Sequence, residues 1–259
     1  MNKDTMLNYR VIGDGYPVVF LHGFLESNTM WNTITPGLNG VKCILIELPG
    51  HGKSNFPSEA PHPTLDRISE MVFALIETLG LKNFALTGHS LGGYVALGMY
   101  RKKPDEINKL ILLNSHPWED SDIKKAERTQ VARIVKKNKS LFLREAIPNL
   151  FYRPELHREN IKNLIHEALE IEAEAIAGTV LAMRDRSDYI SAMTQLGNKC
   201  LVIQGKFDKL IPYDKMKSFT AGTNNVFHLI ENAGHMSHLE ATEEVCKVLK
   251  NFILPERNK

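Results

Sequence analysis

Ser90, Asp208 and His235 are the residues of this 259-residue chain whose types and order could carry out nucleophilic acyl transfer. A serine hydroxyl is unreactive at neutral pH until a base removes its proton. An imidazole does this best when a carboxylate fixes its orientation and stabilises its charged form. Ser90 lies in "LTGHSLGGY", residues 86–94, where an apolar run gives way to a helical pattern. Gly88 and Gly92 on either side tolerate the close packing of a strained strand-to-helix turn, and such a turn exposes the hydroxyl above a sheet. The string alone would serve a simple turn equally well, so its partners decide.

His235 stands in "ENAGHMSHLEATEEV", in a loop after the last strand-like run and before the last helical one. His238 competes for the role of base, but it falls at the start of that helix, where a capping or surface histidine is the simpler reading. Asp208 follows an apolar run in "CLVIQGKFDKLIP". Next to a lysine it would pass for a solvated turn residue; the order serine, acid, histidine, each at the end of a separate strand, favours a triad instead. Asp120 and Asp122, after "KLILLNS", are the fallback acids. Two backbone donors complete the set. One is the N–H of Leu91 at the start of the new helix, and the other is that of Phe24 in "VVFLHGFLES", where Gly23 lets the chain turn sharply. His22 is expected to hold that loop.

These residues need a scaffold that brings strand ends together. Apolar runs begin at Pro17, Val41, Asn83, Lys109, Lys199 and Asn225, as strands buried on both faces of a parallel sheet require. Helical patterns alternate with them. One runs from Leu65 to Leu79, with Thr64 as its cap and Gly80 beyond its end; another begins at Ser90 and is closed by Pro104. The fold class expected is α/β, a doubly wound, mostly parallel sheet. The rhythm breaks between Pro117 and Gln195. There Ile123 to Lys139 is charged and helical, and Ile161, Leu164, Ile165, Ala168, Leu169 and Ile176 share one apolar stripe. The expected division is a core of residues 1–116 and 196–259 with a helical cap, residues 117–195, inserted after the sixth strand. Lys124, Lys125, Arg128, Arg133, Lys136, Lys137 and Lys139 fit a solvated helix surface better than an anion-binding face.

Hydrophobic residues make up 43% of the chain, charged residues 24%, and the net charge is only +2, which gives no electrostatic footprint for nucleic acid. Cys43, Cys200 and Cys246 are far apart and lack metal spacing, so neither a zinc site nor a disulfide framework is expected. Cys43 and Cys200 fit small core hydrophobes. No cofactor is called for. "MNKDTMLNYRVIG" lacks the apolar run of a signal peptide, and no stretch of about 18 apolar residues exists to span a bilayer, so the expected location is cytoplasmic.

Taken together, "LHGF", "ELPGHGKS", "GHSLGG", "GKFD" and "NAGHMSHLE" resemble the α/β-hydrolase superfamily over nearly the whole chain. The resemblance implies Ser90 as nucleophile, His235 as base, Asp208 as acid, Phe24 and Leu91 as oxyanion donors, and residues 117–195 as a cap over the pocket. Glu47 departs from the aspartate usual in "ELPGHGKS", at a position that shapes a loop. Serine at position 90 argues against the epoxide hydrolases and haloalkane dehalogenases of this fold, which need a carboxylate nucleophile. His89 is common in carboxylesterase-like and enol-lactonase-like members. The enzyme implied is a serine esterase acting on a small-molecule ester, lactone or thioester. A C–C bond hydrolase or lyase would use the same triad, and a ligand receptor or scaffold with little turnover is the reading from another class. The pocket is expected between cap and sheet on Phe24, Trp31, Leu91, His116, Trp118 and Met183, for an apolar acyl or aryl group. Arg184 and Arg186 fit a salt bridge in the cap better than a substrate carboxylate.

Overall fold

The apolar runs form a seven-stranded sheet in the computed structural model, which describes residues 7–57 and 62–254; residues 1–6, part of the signal-peptide reading, lie outside these. Among the described residues the strands are β1 (Tyr9–Ile12), β2 (Tyr16–Leu21), β3 (Val41–Ile46), β4 (Phe84–His89), β5 (Ile107–Leu113), β6 (Cys200–Gly205) and β7 (Val226–Ile230). They stand in the order β1-β3-β2-β4-β5-β6-β7. All neighbours are parallel except β1, which runs antiparallel to β3. Sequence reading did not include β1: "YRVI" is short, mostly exposed and at the sheet edge, so it carries no buried apolar run.

The unbroken apolarity of the central strands is explained by burial on both faces. Val19, Leu21, Ile44, Ile46, Leu86, Leu110, Leu112 and Val202 pack on one side with helices α1 (Leu65–Thr78) and α2 (Leu91–Lys102). Their strand neighbours Val18, Phe20, Cys43, Leu45, Ala85, Ile111, Leu113, Leu201 and Ile203 pack on the other with the helix Thr242–Ile253. Each fully buried Leu, Ile or Val contributes on the order of 1.5–3 kcal/mol of transfer free energy. Helix α1 starts as expected, with Thr64 Oγ1 accepting the Arg67 N–H at 3.1 Å, and ends before Gly80, at φ +64. Cys43 and Cys200 are buried in the core.

Between β5 and β6 the chain is helical: α3 (Asp122–Ala146), α4 (Arg158–Glu170), α5 (Ala173–Arg184) and α6 (Ile190–Leu196). These helices follow the fifth described strand rather than the sixth. The single apolar stripe is divided between α4 and α5, because Ile171 and Glu172 are extended. Lys139 stabilises this break by donating to the carbonyls of Leu169 and Ile171, both at 2.7 Å, at the carboxyl end of α4. Within the basic cluster, Lys124, Lys125, Arg128 and Lys136 pair with Glu127, Glu119, Asp120 and Glu174. Side chains from α5 and α6, among them Val180, Met183, Ala192 and Met193, join the core on the α1 and α2 side of the sheet.

Strand order reverses at β2: the chain steps from it to β3 on one side, then returns to β4 on the other. Crevices at such switch points, outside the carboxyl ends of the strands, are where α/β sheets bind ligands. Phe24 follows β2 and Ser90 follows β4, so both stand at this crevice.

Candidate active site

The turn after β4 forces Ser90 into φ +48, ψ −111, a conformation non-glycine residues rarely adopt. The glycines around it are there because of contact: a Cβ on Gly88 would lie 2.3 Å from the Gly92 carbonyl oxygen, and one on Gly92 2.3 Å from that of Leu21. The strained backbone exposes the hydroxyl. Ser90 Oγ lies 2.9 Å from His235 Nε2, and His235 Nδ1 lies 2.8 Å from Asp208 Oδ2.

Asp208 is built to receive this imidazole. Its Oδ1 accepts the N–H groups of Leu210 and Ile211, at 2.9 and 3.1 Å, and its Oδ2 accepts from Asn114 Nδ2 and Gln204 Nε2, at 2.9 and 3.1 Å. Burial acts to raise its pKa, but His235 and these donors outweigh it and hold the carboxyl below its ordinary value. The proton of the imidazole consequently stays on Nδ1, leaving Nε2 free to accept from the serine. His235 itself follows β7, and its backbone N–H donates to the Leu150 carbonyl of the inserted segment at 2.8 Å. His238 is fully buried and faces Glu26, its Nε2 3.3 Å from Oε1, so it is neither a surface residue nor a partner of Ser90. Asp120 is held by Arg128 and Arg186. Asp122 begins α3 on the cavity wall.

The N–H groups of Phe24 and Leu91, the candidate oxyanion donors, are oriented by the carbonyls of their own peptide units. In a trans peptide the C=O and the following N–H point in opposite directions. The Gly23 carbonyl accepts from His22 Nδ1 at 2.8 Å, while His22 Nε2 accepts the Leu48 N–H at 2.9 Å. The Ser90 carbonyl accepts from Ser115 Oγ at 2.8 Å and from the Gly93 N–H at 3.0 Å. Among the described residues, the N–H groups of Phe24 and Leu91 have no acceptor within the protein. His22 thus holds the loop, as its position suggested, and burial followed by the neighbouring His51 pushes its pKa down to about 3.

Two cavities meet at Ser90 and His235. The larger, about 780 Å³, is lined by Phe24, Tyr94, His116, Trp118, Asp120, Lys124, Arg128, Met183 and Lys215. The smaller, about 410 Å³, is lined chiefly by Phe24, Leu25, Val131, Phe142, Ala146, Leu150, Val180 and Met236. His116 and Trp118 stack with ring centroids 5.0 Å apart, and Lys215 Nζ lies 4.0 Å from the Trp118 centroid. His116 Nδ1 accepts the Trp118 N–H, leaving Nε2 to bond the Tyr94 hydroxyl at 2.9 Å. Burial, then Arg186, drives the His116 pKa down to about 3.

Trp31 is a correction. It is 0% exposed, packs on Phe20 at 5.0 Å between centroids, and lines neither cavity. Ser27 caps the 3-10 turn Asn28–Thr33, which sends Trp31 into the core on the side of helix Thr242–Ile253. Leu91 is likewise buried and lines neither cavity. Arg184 pairs with Asp185, and Arg186 donates to Asp120 and to the carbonyls of Met183 and Trp118, so both are structural. Glu47 accepts from Asn8 Nδ2 and the Lys53 N–H, which shapes its loop.

Sequence reading missed Glu26, Tyr94, Asn114 and Gln204, and it placed Arg128 on a solvated helix surface, whereas Arg128 pairs with Asp120 and lines both cavities. Only Glu26 carried a signal, a carboxylate inside the otherwise apolar string that holds Phe24. Glu26, His89 and His238 bring three potential metal-ligand atoms within 4.8 Å of one another, but His89 Nδ1 is engaged with Glu26 Oε2 at 2.7 Å, a hydrogen-bond separation.

A family model described as alpha/beta hydrolase fold matches residues 16–242, and the chain belongs to that family of hydrolases. It is similar to the AB hydrolase superfamily protein YisY of Bacillus subtilis, 27% identical over 93% of this chain and 92% of that protein. It is also similar to a Pseudomonas putida protein named 2-hydroxy-6-oxononadienedioate/2-hydroxy-6-oxononatrienedioate hydrolase 2, 24% identical over 96% and 92% of the two chains. Among solved structures, a thermophilic esterase from Thermogutta terrifontis superposes with a TM-score of 0.88 at 29% identity, covering 95% of this chain and 92% of the other. Among the described residues no helix is long and apolar enough to cross a membrane.

Proposed function

We propose that this protein is a serine hydrolase that cleaves a small carboxylic ester, lactone or thioester through an acyl-enzyme on Ser90. The observation that carries this reading is the continuous line from Ser90 Oγ through His235 to Asp208, with bonds of 2.9 and 2.8 Å, opening onto the two cavities. His235 takes the Ser90 proton as Oγ attacks the substrate carbonyl. The oxyanion sits between the N–H groups of Phe24 and Leu91. Collapse expels the alcohol or thiol, which His235 protonates. Water, deprotonated by the same imidazole, then releases the acid and frees Ser90. The helices of residues 117–195 act as a cap: Val131 and Phe142 of α3 and Val180 of α5 give the acyl group an apolar chamber. Likeness to the Thermogutta esterase supports the ester reading.

A second reading is C–C bond hydrolysis, favoured by the similarity to the Pseudomonas protein and by Lys124, Arg128 and Lys215 on the larger cavity, which suit a substrate carboxylate. Hydrolysis of p-nitrophenyl esters from acetate to octanoate, with Ser90→Ala beside the wild type, separates the two. Repeated ester turnover lost in Ser90→Ala supports the first. Ester turnover retained in the mutant refutes it, and turnover of 2-hydroxy-6-oxo-dienoates with negligible ester cleavage favours the second.

A further inference from the structure

We propose that Glu26 is a positioning residue for the hydrolytic reaction, acting through His89 to hold the oxyanion loop, the serine turn and the histidine loop in one register. This rests on the serine-hydrolase reading above. Glu26 touches no reacting atom, yet its hydrogen bonds, together with those of His89, reach all three loops. Its Oε2 accepts the Gly23 N–H at 2.8 Å, one residue before the Phe24 donor. The same oxygen accepts from His89 Nδ1 at 2.7 Å, one residue before the nucleophile. His89 Nε2 in turn donates to the His235 carbonyl at 3.0 Å. A single buried carboxylate and one imidazole therefore tie together the backbones that deliver the Phe24 N–H, Ser90 Oγ and His235 Nε2.

The arrangement suits a charged imidazole. Both ring nitrogens of His89 face acceptors, as an imidazolium requires. Burial acts to lower the His89 pKa, but the Glu26 carboxylate outweighs it and raises the pKa, which favours the ion-paired form. The groups facing Glu26 are His89, the Gly23 N–H and His238, the last within ion-pair distance but outside hydrogen-bond geometry. Gly23 is shaped around this contact: a Cβ there would lie 2.2 Å from Glu26 Oε2 and 2.4 Å from His89 Nδ1. A buried ion pair is weak evidence for stability, since apolar residues of equal volume often serve as well. Its use here is geometric. A displacement of about 1 Å among reacting groups costs on the order of 100-fold in rate.

The test uses the full chain as wild type, Glu26→Gln, His89→Gln and the double variant. Glu26→Gln keeps the reach and an acceptor for Gly23 but removes the charge. Measured on p-nitrophenyl butyrate, each folded single variant is expected to lose about 10- to 100-fold in kcat with KM within about two-fold, and to react more slowly with a fluorophosphonate in parallel. The double variant is expected to be no slower than the slower single, because the two residues act as one unit. Wild-type kcat in a folded Glu26→Gln, losses that multiply in the double variant, or a change confined to KM would each overturn the role. Should Glu26→Gln fail to fold, His89→Gln carries the test, and wild-type kcat there overturns it equally. A wild type inert to both ester and fluorophosphonate overturns the serine-hydrolase reading, and this role with it.

Discussion

His22 Nδ1 donates to the carbonyl oxygen of Gly23 at 2.8 Å, and this contact fixes the direction of the next amide. Because the peptide is trans, anchoring the Gly23 carbonyl turns the Phe24 N–H the opposite way. Loss of an oxyanion donor costs about 100- to 1,000-fold in kcat. Replacing His22 by leucine removes the anchor but leaves the donor in place, so a kcat loss of about ten-fold or more is expected, with KM little changed. Steady-state kinetics on a p-nitrophenyl ester checks it, and an unchanged kcat would show that the loop aims the donor without His22.

Asp208 faces donors on both oxygens, so an amide cannot replace it without placing an NH₂ group against another donor. Asp208→Asn should lower kcat by about four orders of magnitude, as loss of the correct histidine tautomer does in a serine triad. It should also lower the melting temperature, since a buried donor then faces the Asn114 or Gln204 amide, or a backbone N–H. A variant as stable as the wild type would argue against the donor-rich environment assigned to this carboxylate.

Stability should fall as pH drops below the ordinary histidine range. Burial, then His51, lowers the His22 pKa to about 3, and burial lowers that of His51 to about 4. Both therefore stay neutral in the folded state while the unfolded chain takes up protons near pH 6.5. Their contribution is fully present above that value and is lost as pH falls toward the folded pKa values. His116, with a pKa also driven down to about 3, behaves alike, and three such groups give a slope of roughly 4 kcal/mol per pH unit below about pH 6. Asp208 and Glu26, with carboxyl pKa values below the ordinary range, lose their contribution only at still lower pH. His89 runs the other way: its raised pKa contributes below pH 6.5 and is lost as pH rises. Urea unfolding at pH 7.0, 6.0 and 5.0 reads the slope, and equal stability at all three would contradict it.

Chain-length preference should track the apolar cavity. Phe142→Ala enlarges the chamber formed with Val131, Leu150 and Val180 and should move the best p-nitrophenyl ester toward longer acyl chains; Val180→Phe should move it toward acetate. Parallel shifts in both variants, or none, would place the acyl group in the larger cavity instead.

Much of this was legible in the sequence because the signals are local. The strands of the parallel sheet announce themselves through apolarity on both faces, and Ser90, Asp208 and His235 each lie just beyond one of them. Relationships spanning the chain were not legible. Glu26 looks like an isolated charge until Gly23, His89 and His238 fold around it. Trp31 looks available to a pocket until the short turn begun at Ser27 sends it toward Phe20. Strand β1 escaped because an edge strand needs no apolar run, and the break between α4 and α5 escaped because part of its stabilisation comes from Lys139, a residue on another helix.

The most direct measurement is labelling of the wild-type protein with a fluorophosphonate probe, followed by peptide mapping, alongside turnover of p-nitrophenyl butyrate. The account predicts a single label on Ser90, stoichiometric loss of activity, and neither label nor turnover in a folded Ser90→Ala. Sustained turnover without modification of Ser90, or a label on another residue that abolishes activity, would contradict it.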